Sequence, residues 1–204
     1  HEREFETRGM DMARIRDIEQ HEVPEALRDL YDRVPSEVGP FLSQVKAFAH
    51  RPPILKHMMG MMLRLASEQC VPKRYLEIAM VTVSKLNECR YCVAHHTPRL
   101  VDSGLGPETA ANILEPGCPG LDKFDRLVRD YAVMVTSDSK RIPDTLVTAL
   151  RQRFDEAQLM ELTFRTALCG FYNRFNEALR LDIEDGVIAD MLACGGHLED
   201  LPDA

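Results

Sequence analysis

Nowhere in the 204 residues is there an apolar run approaching the roughly eighteen residues that a membrane-spanning helix requires, and the N-terminus lacks the apolar core of a signal peptide. The expectation is a cytoplasmic chain without a membrane partner. Basic clusters are missing too. With 25 Lys and Arg against 33 Asp and Glu, the formal charge is −8 and the sequence pI is near 5.4, which argues against a nucleic-acid or anionic-membrane surface. Alternation of apolar and polar residues at period two is scarce, and with it the signature of strands. Cysteine is too sparse for a secreted disulfide framework: there are six in all, and Cys70, Cys118, Cys169 and Cys194 are scattered singly. Only Cys89 and Cys92 have chemical spacing. In a reducing compartment such a pair reads as catalytic or metal-binding.

What the chain does have is helical periodicity in a globular composition, 45% hydrophobic and 28% charged. An all-α architecture follows. Pro24 and the acidic Glu25 open a short helix expected to stop near Pro35. Phe41, Leu42, Val45 and Phe48 carry helical spacing up to Arg51-Pro52-Pro53. A methionine-rich helix follows from Pro53 to about Gln69, with Met58, Met59, Met61 and Met62. Its first reading is a core or subunit-contact face and its second a wall for an apolar substrate; His57 is expected at the surface. Gly104 to Pro107 ends one helix and starts another, and Glu115 to Gly120 is a loop. Further helices are expected over Leu121 to Val135 and Pro143 to Phe154, then from a cap at Asp155 to about Arg180, and finally over Val187 to Leu192. Residues 1–9 lack apolar periodicity and read as a vector-derived remnant, with Met10 as the native start.

The chemistry concentrates between Glu77 and His96, in the pattern E-x11-C-x2-C-x3-H. Helical spacing puts Cys89 and Cys92 one turn apart on one face, with His96 a turn further along it. Glu77 is too far back for the same short helix and belongs to a preceding buried helix, Ile78 to Leu86, that can pack beside the first. A thiolate is the nucleophile, and an imidazole backed by a carboxylate can take its proton. His96, at i+4, favours Cys92 as the reactive thiol; the helix N-terminus favours Cys89. The residues alone leave the two nearly even. His95 points about 100° away around the helix.

An echo lies 84 residues on: Glu161, Asn173, Asn176 and Arg180 repeat the spacing as E-x11-N-x2-N-x3-R, without sulfur. It suggests one helical hairpin used twice, with a polar network in the second copy. Residues 10–204 then form a single helical domain, its first repeat at about 40–115 and its second at about 121–192.

The full pattern, with Tyr91 inside the cysteine pair, resembles the alkylhydroperoxidase D-like (AhpD-like) branch of the carboxymuconolactone decarboxylase superfamily. The likeness extends through His50-Arg51-Pro52, Lys73 to Glu77, Val81 to Ser84 and Gly104-Leu105, over roughly residues 40 to 183. It implies an all-helical homo-oligomer, trimeric or hexameric, that reduces small hydroperoxides. It also implies that Cys92 reacts with peroxide, that Cys89 resolves the sulfenic acid to a disulfide, and that Glu77 and His96 relay the proton. A dithiol, in that family a lipoyl group on a carrier protein, would restore the pair, with no cofactor or metal required. Tyr91 stands where alkylhydroperoxidase D has a histidine, leaving the relay one imidazole short; Tyr91 and His95 are auxiliary candidates. The alternatives are a decarboxylase-like lyase, a redox sensor using the same thiols, and a zinc site on Cys89, Cys92 and His96 with Glu77 as fourth ligand.

Overall fold

The computed structural model describes residues 13–202, and among these there are helices and turns but no strand. The expectations for residues 1–9 and Met10 lie outside the described residues. Helix α1 (Glu25–Glu37) is followed by α2 (Leu42–Ala49). Next comes a continuous methionine-rich run: α3 (Pro52–Ile54), a π segment (Leu55–Met59) and α4 (Gly60–Glu68). The central hairpin is α5 (Lys73–Leu86) and α6 (Arg90–Asp102). Then come α7 (Pro107–Ala111), α8 (Lys123–Ser137), α9 (Asp144–Leu150), α10 (Glu156–Leu179) and α11 (Asp185–Ala193). Among the described residues no helix is long and apolar enough to cross a membrane.

Every side of α5 is covered, because Leu76 to Ala79 and Val81 to Ser84 are all buried. A helix with apolar residues all round is stable only when wrapped, and α6, α8 and α10 do the wrapping. Its buried hydroxyl at Thr82 donates to the Ile78 carbonyl at 2.7 Å, so the apolar contacts are not offset by an orphaned polar group. Arg74 of α5 reaches Asp125 at 3.0 Å, and Asp125 completes a capping box with Asp122 at the start of α8. One ion pair thus fixes where α8 begins against α5. A second core gathers Tyr31, Val34, Phe48, Leu55 and Met59 with Tyr172 of α10. Long α10 belongs to both cores, with Leu162 and Cys169 in the first.

Two expectations need correction. α1 does not stop at Pro35 but carries it in its last turn, where the missing N–H removes a single hydrogen bond and Val38 N still reaches Val34 O at 2.9 Å. The sequence echo is also not a second hairpin, since Glu161, Asn173 and Asn176 lie on one uninterrupted helix. The first copy breaks at Asn87-Glu88-Cys89 because Glu88 takes a left-handed conformation with φ of 53°. The positions 84 residues on are Phe171, Tyr172 and Asn173, and Tyr172 is held in the second core, which keeps the helix running. Asp155 caps α10 as anticipated, accepting from Gln158 N at 2.8 Å, and Arg180 ends it with φ of 51°.

Glu88 is exposed and left-handed, a conformation that costs a residue with a Cβ, and among the described residues its side chain makes no hydrogen bond or ion pair that would offset the cost. Glu88→Gly is expected to raise unfolding stability by roughly 0.5–1 kcal/mol, measured by urea denaturation; a loss of stability would show that Glu88 contributes more than a turn.

Candidate active site

Glu77 sits in the second turn of α5 with its side chain buried against α6. Its carboxylate accepts from His96 Nδ1 at 2.7 Å on one oxygen and from Arg99 Nε at 2.8 Å on the other. Burial alone would push this carboxyl up, but His96 and Arg99 outweigh it and hold it at about 2. Burial also lowers the His96 pKa, against the pull of Glu77. The carboxylate is therefore ionised and the imidazole neutral at pH 7. A neutral imidazole that donates from Nδ1 keeps a lone pair on Nε2, the form a general base needs.

Arg99 extends the pairing outward. Its Nη1 donates to the Val38 carbonyl at 2.7 Å, tying the loop between α1 and α2 to α6. Gly39 in that loop has φ of 143°, and a Cβ there would lie 2.6 Å from Arg99 Nη1. Only glycine leaves room for this approach.

The thiols lie at the start of α6, where the chain resumes helical geometry. Cys89 is the N-cap, and its sulfur accepts from Cys92 N at 3.4 Å. Both are reduced and buried. Cys92 also receives a hydrogen bond from Asn176 Nδ2 at 3.2 Å. Its hydrogen bond with Cys89 and its burial push the Cys92 thiol well above the ordinary cysteine value. At rest the proton stays on sulfur. No hydrogen bond joins His96 to Cys92 among the described residues, but the two line the same cavity.

That cavity, about 350 Å³, lies between the α5–α6 hairpin, α10 and the methionine run. Cys92, His96, Glu77 and Arg99 form one part of its wall; Cys89 is not on it. Met59 and Met62 line it as well, so the substrate-wall reading of the methionines applies to these two, while His57 is exposed. Tyr91 and His95 face elsewhere. The Tyr91 hydroxyl donates to Glu184 at 3.1 Å, and His95 Nε2 lies 2.8 Å from the other Glu184 oxygen. Phe41 stacks on His95 with centroids 4.8 Å apart and tilts against His96 at 5.6 Å, closing the ring layer over α6.

Sequence reasoning missed Arg99 and Phe41. Arg99 had a signal, being three residues beyond His96 and seven beyond Cys92 on the same helical face; Phe41 had none, because its approach depends on how α2 packs. The echo residues arrive where no motif would put them. Asn176 meets Cys92 and Gln44, while Asn173 meets Asn87 at 2.9 Å and Ser84 at 3.4 Å. As for the zinc alternative, the described residues hold no group of three or more His, Cys, Asp or Glu side chains placed to hold a metal ion.

Residues 52–122 match the carboxymuconolactone decarboxylase family, and this segment contains Glu77, both cysteines, His96 and Arg99. No curated protein sequence matches the chain. Among solved structures, the chain is similar to an alkylhydroperoxidase AhpD core, an uncharacterized peroxidase-related protein from Ralstonia eutropha. The TM-score is 0.77 at 20% identity, covering 96% of this chain and 100% of that one. It is also similar to an uncharacterized peroxidase-related protein from Silicibacter sp. (TM-score 0.74, 20% identity, 90% and 97% covered). A debrominase in complex with 2,3,4-tribromopyrrole matches at TM-score 0.72 and 15% identity, over 87% and 95%. The fold is thus AhpD-like, and residues 52–122 of it match the carboxymuconolactone decarboxylase family.

Two measurements follow from the electrostatics. A carboxyl held near 2 in the folded state against an ordinary value of 4.5 contributes stability that is full above about pH 4.5 and is lost as pH falls toward 2. Glu77→Gln should cost roughly 3 kcal/mol at pH 7 in urea unfolding, with the gap from wild type narrowing below pH 4.5; a gap constant with pH would contradict the ionised pair. The raised Cys92 thiol predicts slower alkylation by iodoacetamide at pH 7 than for free cysteine, with the rate climbing through the alkaline range. Alkylation already at its plateau at pH 7 would show a thiolate at rest.

Proposed function

We propose that this chain, which carries a carboxymuconolactone decarboxylase-family segment on an AhpD-like fold, is a thiol-dependent hydroperoxide reductase. Cys92 is the peroxide-reactive sulfur and Cys89 the resolving one. The observation that carries the reading is the placement of the pair: Cys92 lies on the cavity wall beside His96, and Cys89 lies behind it, one helical turn away and in hydrogen-bond contact with the Cys92 amide.

In the proposed cycle a hydroperoxide enters the cavity and His96 Nε2, directly or through water, takes the proton of the Cys92 thiol. Glu77 steadies the imidazolium that forms, and the Asn176 amide steadies charge on the sulfur. The sulfur attacks the terminal peroxide oxygen; the O–O bond breaks, and the leaving alkoxide takes the proton from His96 to depart as an alcohol. Cys92 is now a sulfenic acid. The Cys89 thiol attacks it, the S–S bond forms and water leaves. An external dithiol, such as a lipoyl group on a carrier protein, restores both thiols by exchange. A raised Cys92 thiol makes proton removal part of the reaction rather than a resting condition, so His96 matters to the rate. We further propose a homo-oligomer, trimeric or hexameric, working in the cytoplasm, where a dithiol reductant is at hand.

Treating reduced protein with one equivalent of cumene hydroperoxide should remove two hydrogens from the peptide that holds Cys89 and Cys92. Cys89→Ser should trap a sulfenate on Cys92, and His96→Ala should slow its formation by about two orders of magnitude. Mass spectrometry reads all three. Sulfenate on Cys89 alone would reverse the roles, and no oxidation of either sulfur would sink the reading.

A further inference from the structure

Besides the thiol and its relay, the cavity wall holds a second polar patch, made by Arg165 and Tyr172 of α10. They are seven residues apart, two helical turns along one face. The Arg165 side chain is only 14% exposed. Its Nε is 3.6 Å from Glu161, beyond hydrogen-bond reach, and its Nη1 is 3.9 Å from the Met62 sulfur. Among the described residues these contacts leave most of the guanidinium N–H groups unused. Burial lowers the Arg165 pKa against the pull of Glu161. The Tyr172 hydroxyl is also buried, with no hydrogen-bond partner among the described residues. Both side chains line the same cavity.

A buried donor without a partner is costly, so the Tyr172 hydroxyl calls for an explanation, and the Arg165 guanidinium shares its cavity. Glu161 does not line the cavity; it balances the charge of Arg165 from behind without occupying its donors. Beside this patch and the thiol, the wall carries polar Glu37, Gln44, Gln69 and Lys73 and apolar Leu65, Leu76, Met80 and Leu168. We infer that the cavity binds an apolar molecule carrying a carboxylate, held by the guanidinium of Arg165 and the hydroxyl of Tyr172 with its hydrocarbon part along those apolar side chains. The volume is at the small end for ligand pockets, which suits a medium-length acyl chain. The inference rests on reading this cavity as the substrate pocket of the proposed reductase, and it makes the substrate class a hydroperoxide of a small carboxylic acid.

Calorimetric titration of the reduced full chain with octanoate and with 1-octanol tests the site without any peroxide. Octanoate should bind at least about tenfold more tightly, the share a charge-assisted pair adds. Arg165→Met should abolish that preference. Tyr172→Phe should weaken octanoate severalfold, leave octanol unchanged and raise the melting temperature, because it removes a buried hydroxyl that has no partner. A merely structural tyrosine would not separate the two ligands. If Arg165→Met fails to fold, Tyr172→Phe and the double variant Glu161→Gln/Arg165→Met read the same site. Equal binding of acid and alcohol, absence of octanoate binding, or a preference surviving in Arg165→Met and Tyr172→Phe would overturn the inference. Cys92 oxidation by cumene hydroperoxide is a separate readout: oxidation without octanoate preference leaves the reductase reading standing, and octanoate preference without oxidation removes that reading alone.

Discussion

One buried carboxylate holds the site together. Glu77 is surrounded by apolar residues of α5, and ionised groups in such places are tolerated only when charged or hydrogen-bonded partners take both oxygens. His96 takes one and Arg99 the other, each from α6. The same three residues therefore fix the α5–α6 contact, select the tautomer of His96 and anchor the α1–α2 loop through Val38. Removing the carboxylate would loosen all of these together, because His96 and Arg99 would both lose the acceptor they share.

The second organising element is α10. Its 24 residues touch both hydrophobic cores, through Leu162 and Cys169 in the first and Tyr172 in the second. With the helix so held, Asn173 and Asn176 meet Ser84, Asn87 and Cys92, and Arg165 and Tyr172 reach the cavity. The first copy of the pattern keeps the sulfurs; the second supplies amides that face them. Such a pairing requires α10 to stay straight where the first copy turns, and this is why Tyr172 in the second core matters more than the matched spacing.

Tyr91 lies inside the cysteine motif but serves another part of the fold. Its phenol lies in the layer with Phe41 and His95 and bonds to Glu184, next to the start of α11, away from the cavity. The residue inside the cysteine pair thus belongs to the packing of the chain's last helix. At Cys92 the contact with Cys89 and burial keep the thiol protonated at rest, while His96, paired with Glu77, lines the same cavity.

Much of this was legible in the chain because it depends on local spacing. Helical periodicity gave the all-α fold, the cap at Asp155 gave the start of α10, and the four-residue offset put Cys92 and His96 on one cavity wall, whereas Cys89 caps the helix in extended conformation behind them. The pairing of Glu77 with His96 was also within reach, since an acidic residue on a buried apolar helix needs a partner and the adjoining helix offered one. What sequence could not decide is whatever depends on a third element arriving from far along the chain. Whether Cys92 or Cys89 faces a cavity is fixed by α10 and the methionine run, and the burial that keeps Cys92 protonated is the sum of those contacts. The unbroken course of α10, the approach of Phe41 and the burial of Arg165 and Tyr172 at the cavity are likewise products of packing, because burial and desolvation are properties of assembled surfaces and have no signature in the spacing of any one segment.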